Sequence, residues 1–213
     1  MPQQPPAPGP KLAASVDAAL AGRRSIRTYT DQPVPPELVD EIVSAARHAP
    51  SPHHSVPWRF AVLTRREAKA QLAAAMADQW RADLQADNVP EVEIESEVAK
   101  STRRMLNAPL VVIGCLYLKP LDTYPDPARQ QSETYMAAHS LGAALQNIML
   151  AAHARGLSSC WMCAPVFCPD VVRAALGLPS ALIPHAMLTI GYPARPPVQR
   201  DRTPLNEIVA LRA

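Results

Sequence analysis

Apolar residues recur at three- and four-residue intervals through much of the chain, which predicts a largely helical protein. Residues 16–21 read as a short helix closed by Gly22, and a second helix begins near Pro36 with Leu38, Ile42, Val43 and Ala46 on one side. Residues 66–86 carry Leu72, Ala75, Met76 and Trp80 at helical spacing, Asn88-Val89-Pro90 breaks the pattern, and a further helix covers about 93–106. Residues 133–155 are apolar almost all round, which predicts a helix buried on every side, against its own sheet and against a partner subunit. Residues 169–176 read as another helix. Between these lie short strand-like runs: 60–63, the nearly continuous apolar run 110–116, a strand beginning at Cys160, residues 186–192, and a last short strand at 208–211. Residues 119–126 form a proline-broken loop. Strands separated by helices predict an α+β or α/β sheet core wrapped in helices.

The length, 213 residues, suits one domain. Residues 1–12 are proline-rich and read as a disordered tail, leaving 13–213 as the single domain. Apolar residues make up 48% of the chain but aromatics only 5%, so Ala, Leu and Val must fill most of the core. A formal net charge of +2 is too weak for a nucleic-acid binder. The chain has no apolar run long enough for a membrane helix and no signal-peptide pattern, so the expected setting is cytoplasmic. Cys160 and Cys163 form a C-x-x-C pair, which raises a redox or zinc reading. Their apolar surroundings and the lack of a second metal-ligand pair favour packing cysteines instead.

Four segments carry candidate chemistry. Arg23-Arg24-Ser25-Ile26-Arg27 puts three guanidiniums and a hydroxyl within five residues, a set of forked donors suited to phosphate. In Ala49-Pro50-Ser51-Pro52-His53-His54-Ser55-Val56-Pro57-Trp58, prolines stiffen a loop that presents polar side chains. Adjacent histidines with no carboxylate nearby in sequence make a poor metal site. Gly156-Leu157-Ser158-Ser159-Cys160-Trp161-Met162 runs from a helix exit into a strand, offering backbone N–H groups to a ring. In Arg200-Asp201-Arg202 two arginines alternate and can face one anion. No glycine-rich phosphate loop and no G-x-S-x-G elbow occurs, so nucleotide-binding and serine-hydrolase folds of the usual kinds are excluded.

These four pieces, in this order and followed by Gly191-Tyr192-Pro193, resemble the nitroreductase family over nearly the whole chain. The resemblance implies an α+β nitroreductase-like fold: a central, mainly antiparallel sheet wrapped by helices, in an intertwined homodimer with FMN at the subunit interface. It implies that Arg23, Arg24, Ser25 and Arg27 hold the FMN phosphate and the polar edge of the ring, with Arg200 and Arg202 completing the phosphate site. Pro50, Ser51, Pro52 and His54 would reach the flavin from the other subunit, Arg104 would face the pyrimidine side, and Met162, Cys163 and Ala164 would lie near N5. No catalytic side chain is required, because reduced FMN delivers hydride from N5. The histidine loop and the Gly156–Met162 segment look most like the FMN reductase domain of the bifunctional enzyme of coenzyme F-420 biosynthesis. That likeness implies reduction of a dehydro deazaflavin precursor, with His53, His54 and Arg103 contacting the anionic substrate. An NAD(P)H-dependent nitro or quinone reductase, a flavin carrier without turnover, and a thiol or zinc protein are the alternatives.

Overall fold

The apolar run at 110–116 forms strand β2 (Leu110–Tyr117), buried at every position but the last. It lies between β1 (Trp58–Leu63) and β4 (Leu182–Gly191), and β3 (Ser158–Met162) pairs outside β4. The order is β1-β2-β4-β3, with every pairing antiparallel. The computed structural model describes residues 9–198 and 201–212.

Alternation along β2 sorts the helices into two layers. Leu110, Val112 and Leu116 join the core built on α2 (Pro36–Ser44) and α5 (Pro127–Ala154). Val111, Ile113 and Cys115 face the opposite core, made with α3 (Arg66–Ala86), α4 (Glu91–Leu106) and α6 (Pro169–Leu176). Gly114 faces the α5 layer as the alternation requires but carries no side chain, for a steric reason: a Cβ there would stand 3.0 Å from Leu141 Cδ1 and 3.3 Å from Leu145 Cδ2. Its absence lets α5 lie close on the centre of the sheet. Pro184, which has no N–H for the ladder, falls where the β2–β4 register shifts between Gly114 and Cys115, so β4 runs through it and starts at Leu182 rather than 186.

Other expectations change as well, β1 and β3 each starting two residues early, at Trp58 and Ser158. Helix α1 (Pro10–Gly22) starts well before residue 16 and takes in residues 10–12 of the expected tail. A proline in its first turn and the following Leu-Ala-Ala account for that start. Helix α5 begins at Pro127, because the Asp126 side chain caps it by accepting from Arg129 N–H at 2.9 Å. Residues 208–211 make no strand: α7 (Leu205–Ile208) is a single helical turn opened after Pro204, and no sheet edge pairs with it. Among the described residues no helix is long and apolar enough to cross a membrane.

Candidate active site

The basic segment at 23–30 is laced to the exposed side of β3 and the end of β4. Ile26 N–H donates to Ser159 O at 3.0 Å, Thr30 N–H to Tyr192 O at 2.9 Å, and Ser25 and Tyr29 bridge to Ser159 and Pro193. The Tyr29 hydroxyl lies 2.6 Å from Ile26 O and 2.9 Å from both Thr189 O and Thr189 Oγ1. Burial raises the Tyr29 pKa above its ordinary value, outweighing the Thr189 hydrogen bond that lowers it, so Tyr29 stays a neutral donor. Gly191 makes room for this arrangement, since a Cβ would meet Pro109 Cδ at 2.6 Å and Tyr29 Cβ at 3.1 Å.

So fixed, the segment gathers arginines that are distant in sequence. Arg202 Nη2 donates to Arg23 O at 3.4 Å, across 179 positions. Arg24 donates to Arg23 O at 2.9 Å and to Ala21 O. Burial, then Arg202, then Arg24 push the Arg23 pKa below its ordinary value. Arg27, Arg104 and Arg23 all act on Cys160, whose thiol is nevertheless pushed up by burial. A buried protonated thiol is a poor nucleophile, which tells against a redox role for Cys160. The described residues hold no group of three metal-ligating side chains.

Arg23 Nε in this cluster, and Ser159 Oγ and Trp161 Nε1 on β3, are buried without a hydrogen-bond partner among the described residues. Orphaned buried donors beside like charges are costly unless an anion and acceptor atoms satisfy them. The sequence reading missed both Ser159 and Trp161 as side chains. Each looked like an ordinary strand position, and only the β3 pairing isolates its polar atom.

Next to the cluster opens a cavity of about 520 Å³ between α3, α4 and the segment after β3. Met76, Trp80 and Met105 supply apolar wall, and Arg104, Met162, Cys163 and Ala164 also line it. Asp83 and Asp87 are its acidic members. Arg103 is exposed on α4 and does not line it. Arg200 lies outside the described residues.

The proline–histidine loop stands elsewhere in the protomer. Pro52–His54 form a 3-10 turn packed on α5, away from the arginines at β3. Three of its residues have positive φ: His53 (50°), His54 (55°) and Val56 (48°). Side-chain carbons disfavour that conformation, and such strain concentrates at binding sites. Ser51 Oγ holds the loop by accepting from Val56 N–H at 3.1 Å. Within one protomer, then, Pro50, Ser51, Pro52, His53 and His54 form one group. Arg23, Arg24, Ser25, Arg27, Arg104, Met162, Cys163, Ala164 and Arg202 form the other.

A profile described as the nitroreductase family matches residues 20–192. A candidate NADH dehydrogenase/NAD(P)H nitroreductase of Methanothermobacter thermautotrophicus is 30% identical over 185 residues, 86% of this chain and 80% of that protein. Among solved structures, a BluB-like flavoprotein of Clostridium difficile superimposes with a TM-score of 0.76 at 24% identity, covering 96% of this chain and 100% of its own. A candidate nitroreductase of Desulfovibrio desulfuricans in complex with FMN gives 0.70 at 25% identity, covering 97% and 99%.

Proposed function

The chain belongs to the nitroreductase family, and on that premise we propose that it is an FMN-dependent oxidoreductase acting as a homodimer. The observation that carries the reading is the crowding of Arg23, Arg24 and Arg202, with Arg23 Nε buried and unsatisfied. A phosphate monoester fits there, and the orphaned Trp161 Nε1 and Ser159 Oγ suit the polar atoms of a flavin ring. Arg23, Arg24, Ser25, Arg27 and Arg202, with Arg200, would hold the phosphate and ring edge, and Arg104 the pyrimidine side. When bound, FMN supplies two-electron reduction at its ring. This chain's own contribution would be to bind, orient and shield: Met162, Cys163 and Ala164 would lie beside the ring, and the walls of α3 and α4 would exclude water from the neighbouring cavity.

The Pro50–His54 loop would complete the partner's site, which explains its separation from the arginines of its own protomer. The exposed apolar residues Leu12, Val16 and Leu20 on α1 and Tyr135 and Met136 on α5 support a subunit interface. The two substrate readings differ in charge. A deazaflavin precursor brings a phosphodiester and a carboxylate, whereas the 520 Å³ cavity sets Arg104 against Asp83 and Asp87. That lining favours a neutral, apolar acceptor such as a quinone, reduced at the expense of NAD(P)H. The precursor reading rests on the likeness of the histidine loop and the Gly156–Met162 segment.

Reconstitution with FMN tests the cofactor site. Arg23→Ala and Arg202→Ala should each weaken FMN binding by about tenfold or more, since each removes a charge-assisted contact of about 1.5–3 kcal/mol. Full occupancy of both variants at limiting FMN, read from flavin absorbance, would overturn the assignment. Anaerobic turnover, with NAD(P)H and quinone in one arm and chemically reduced FMN and dehydro precursor in the other, decides between the substrates.

A further inference from the structure

Aromatic side chains are scarce in this chain, yet two of them line the cavity of about 520 Å³ beside the arginine cluster. Of the two phenylalanines, Phe60 packs on the core, whereas Phe167 is 81% exposed and lines the cavity. Trp80 lines it from α3 and is 36% exposed. Exposure together with lining puts both rings at the cavity mouth. A tight turn (Ala164–Phe167) holds Phe167 there: Pro165 is buried, Val166 N–H donates to Cys163 O at 3.0 Å, and Cys168 N–H donates to Pro165 O at 3.3 Å. A ring presented on so fixed a backbone loses little freedom when a ligand covers it. The same turn runs on from Cys163 and Ala164, which line the cavity and which the flavin reading sets near N5.

We propose that Trp80 and Phe167 hold the planar ring of the electron acceptor and set its size, favouring a fused two-ring quinone over a single-ring one. The inference rests on the quinone reductase reading and names the acceptor within it. Aromatic faces and edges attract other flat π-systems, and the gain grows with the apolar area brought together. A single ring lying against Met162–Ala164 leaves the aromatics at the mouth in water, whereas a fused second ring reaches them. Met76 and Met105 supply unbranched thioether wall that adapts to such a ring. The acidic wall is engaged already, since Gln79 Nε2 donates to Asp83 at 2.8 Å. Neither Trp80 nor Phe167 carries a proton for the reaction, so the pair determines specificity, and its removal acts on KM more than on kcat.

The test uses the FMN-loaded full chain with NAD(P)H as donor, and compares menadione, a two-ring quinone, with benzoquinone. KM for menadione should lie about tenfold or more below that for benzoquinone. Phe167→Ala and Trp80→Ala should each raise the menadione KM by about tenfold and the benzoquinone KM by about threefold at most. Phe167→Leu keeps apolar bulk without a ring and should behave like the Ala variant, while Phe167→Tyr should restore the preference. Flavin absorbance and dimer mass should stay at wild-type levels in Phe167→Ala. If Trp80→Ala does not fold, the Phe167 variants, at an exposed position, carry the test. An unchanged menadione KM in the Phe167 variants, or an equal loss for both quinones, overturns the inference and leaves the reductase reading standing. Loss of the dimer in Phe167→Ala also overturns it, because the ring then belongs to the subunit interface. No turnover of either quinone by the wild-type protein removes the reductase reading and the inference with it.

Discussion

Strain at single residues marks the proline–histidine loop more plainly than its composition does. Val56 is β-branched, 41% exposed, and held at φ 48°. The left-handed conformation costs such a residue about 1–2 kcal/mol, whereas Asn adopts it readily. Val56→Asn should therefore raise stability by up to about 1 kcal/mol in urea unfolding while keeping the Ser51 contact, which is made to the backbone. An unchanged or lower midpoint would mean that the side chain's packing outweighs the strain. His185 gives a second residue-scale expectation. Burial lowers its pKa from 6.5, so the folded state prefers the neutral ring. The unfolded chain takes up its proton first as pH falls. The stabilising contribution is thus complete above about 6.5 and lost as pH drops through the folded value. His185→Gln should flatten the fall of stability on the acid side of pH 6.5, measured by unfolding at several pH values, and an unaltered slope would assign that fall to other groups.

At the scale of elements, the close contact of α5 with the sheet turns on one missing side chain. A Cβ on Gly114 would press on Leu141 and Leu145, both within the buried core, so Gly114→Ala should destabilise by about 1–3 kcal/mol. Gly142 is the control. It sits inside α5, and a Cβ there meets only Trp161, at a comfortable 3.6 Å, so Gly142→Ala should stabilise by about 0.5–1 kcal/mol. Opposite signs in the two denaturation midpoints are the expected result. Legibility in the sequence follows the same division between local and tertiary causes. Helix α3 has the bounds its periodicity predicts, because the start after Arg65 and the break at Asn88 are local signals. The first turns of α5 escaped because residues 127–132 are mostly polar, and only the Asp126 cap reveals them. The arginines at 23–27 crowd already in the sequence, whereas Arg202 and Arg104 were joined to them only by the family resemblance, and it is the fold that brings Arg202 onto Arg23 and Arg104 near Cys160. Lys69 was not legible at all. Its ammonium is buried and donates to Ala108 O at 2.5 Å, tying α3 to the turn before β2, a partnership that helix periodicity cannot show.

For the whole molecule, the division of the candidate site into two groups within one protomer is the decisive feature. The arginines gather at β3, and the Pro50–His54 loop packs on α5 instead. If each flavin site takes its arginines from one subunit and its loop from the other, two different defects should complement each other. A protomer carrying Arg23→Ala retains an intact loop, and a protomer with Ser51, His53 and His54 changed to Ala retains intact arginines. Each homodimer alone has two broken sites. Dissociated together and reassembled in equal amounts, half of the dimers would be mixed, and each mixed dimer would hold one intact site and one doubly defective site. Symmetric random pairing therefore restores about a quarter of the wild-type sites. Flavin content and quinone turnover should recover to that level on mixing, and the recovered sites should remain after removal of loosely bound FMN. If mixing restores neither, while native mass spectrometry shows mixed dimers, both groups serve the same protomer's site. A stable FMN-saturated monomer would remove the shared site altogether.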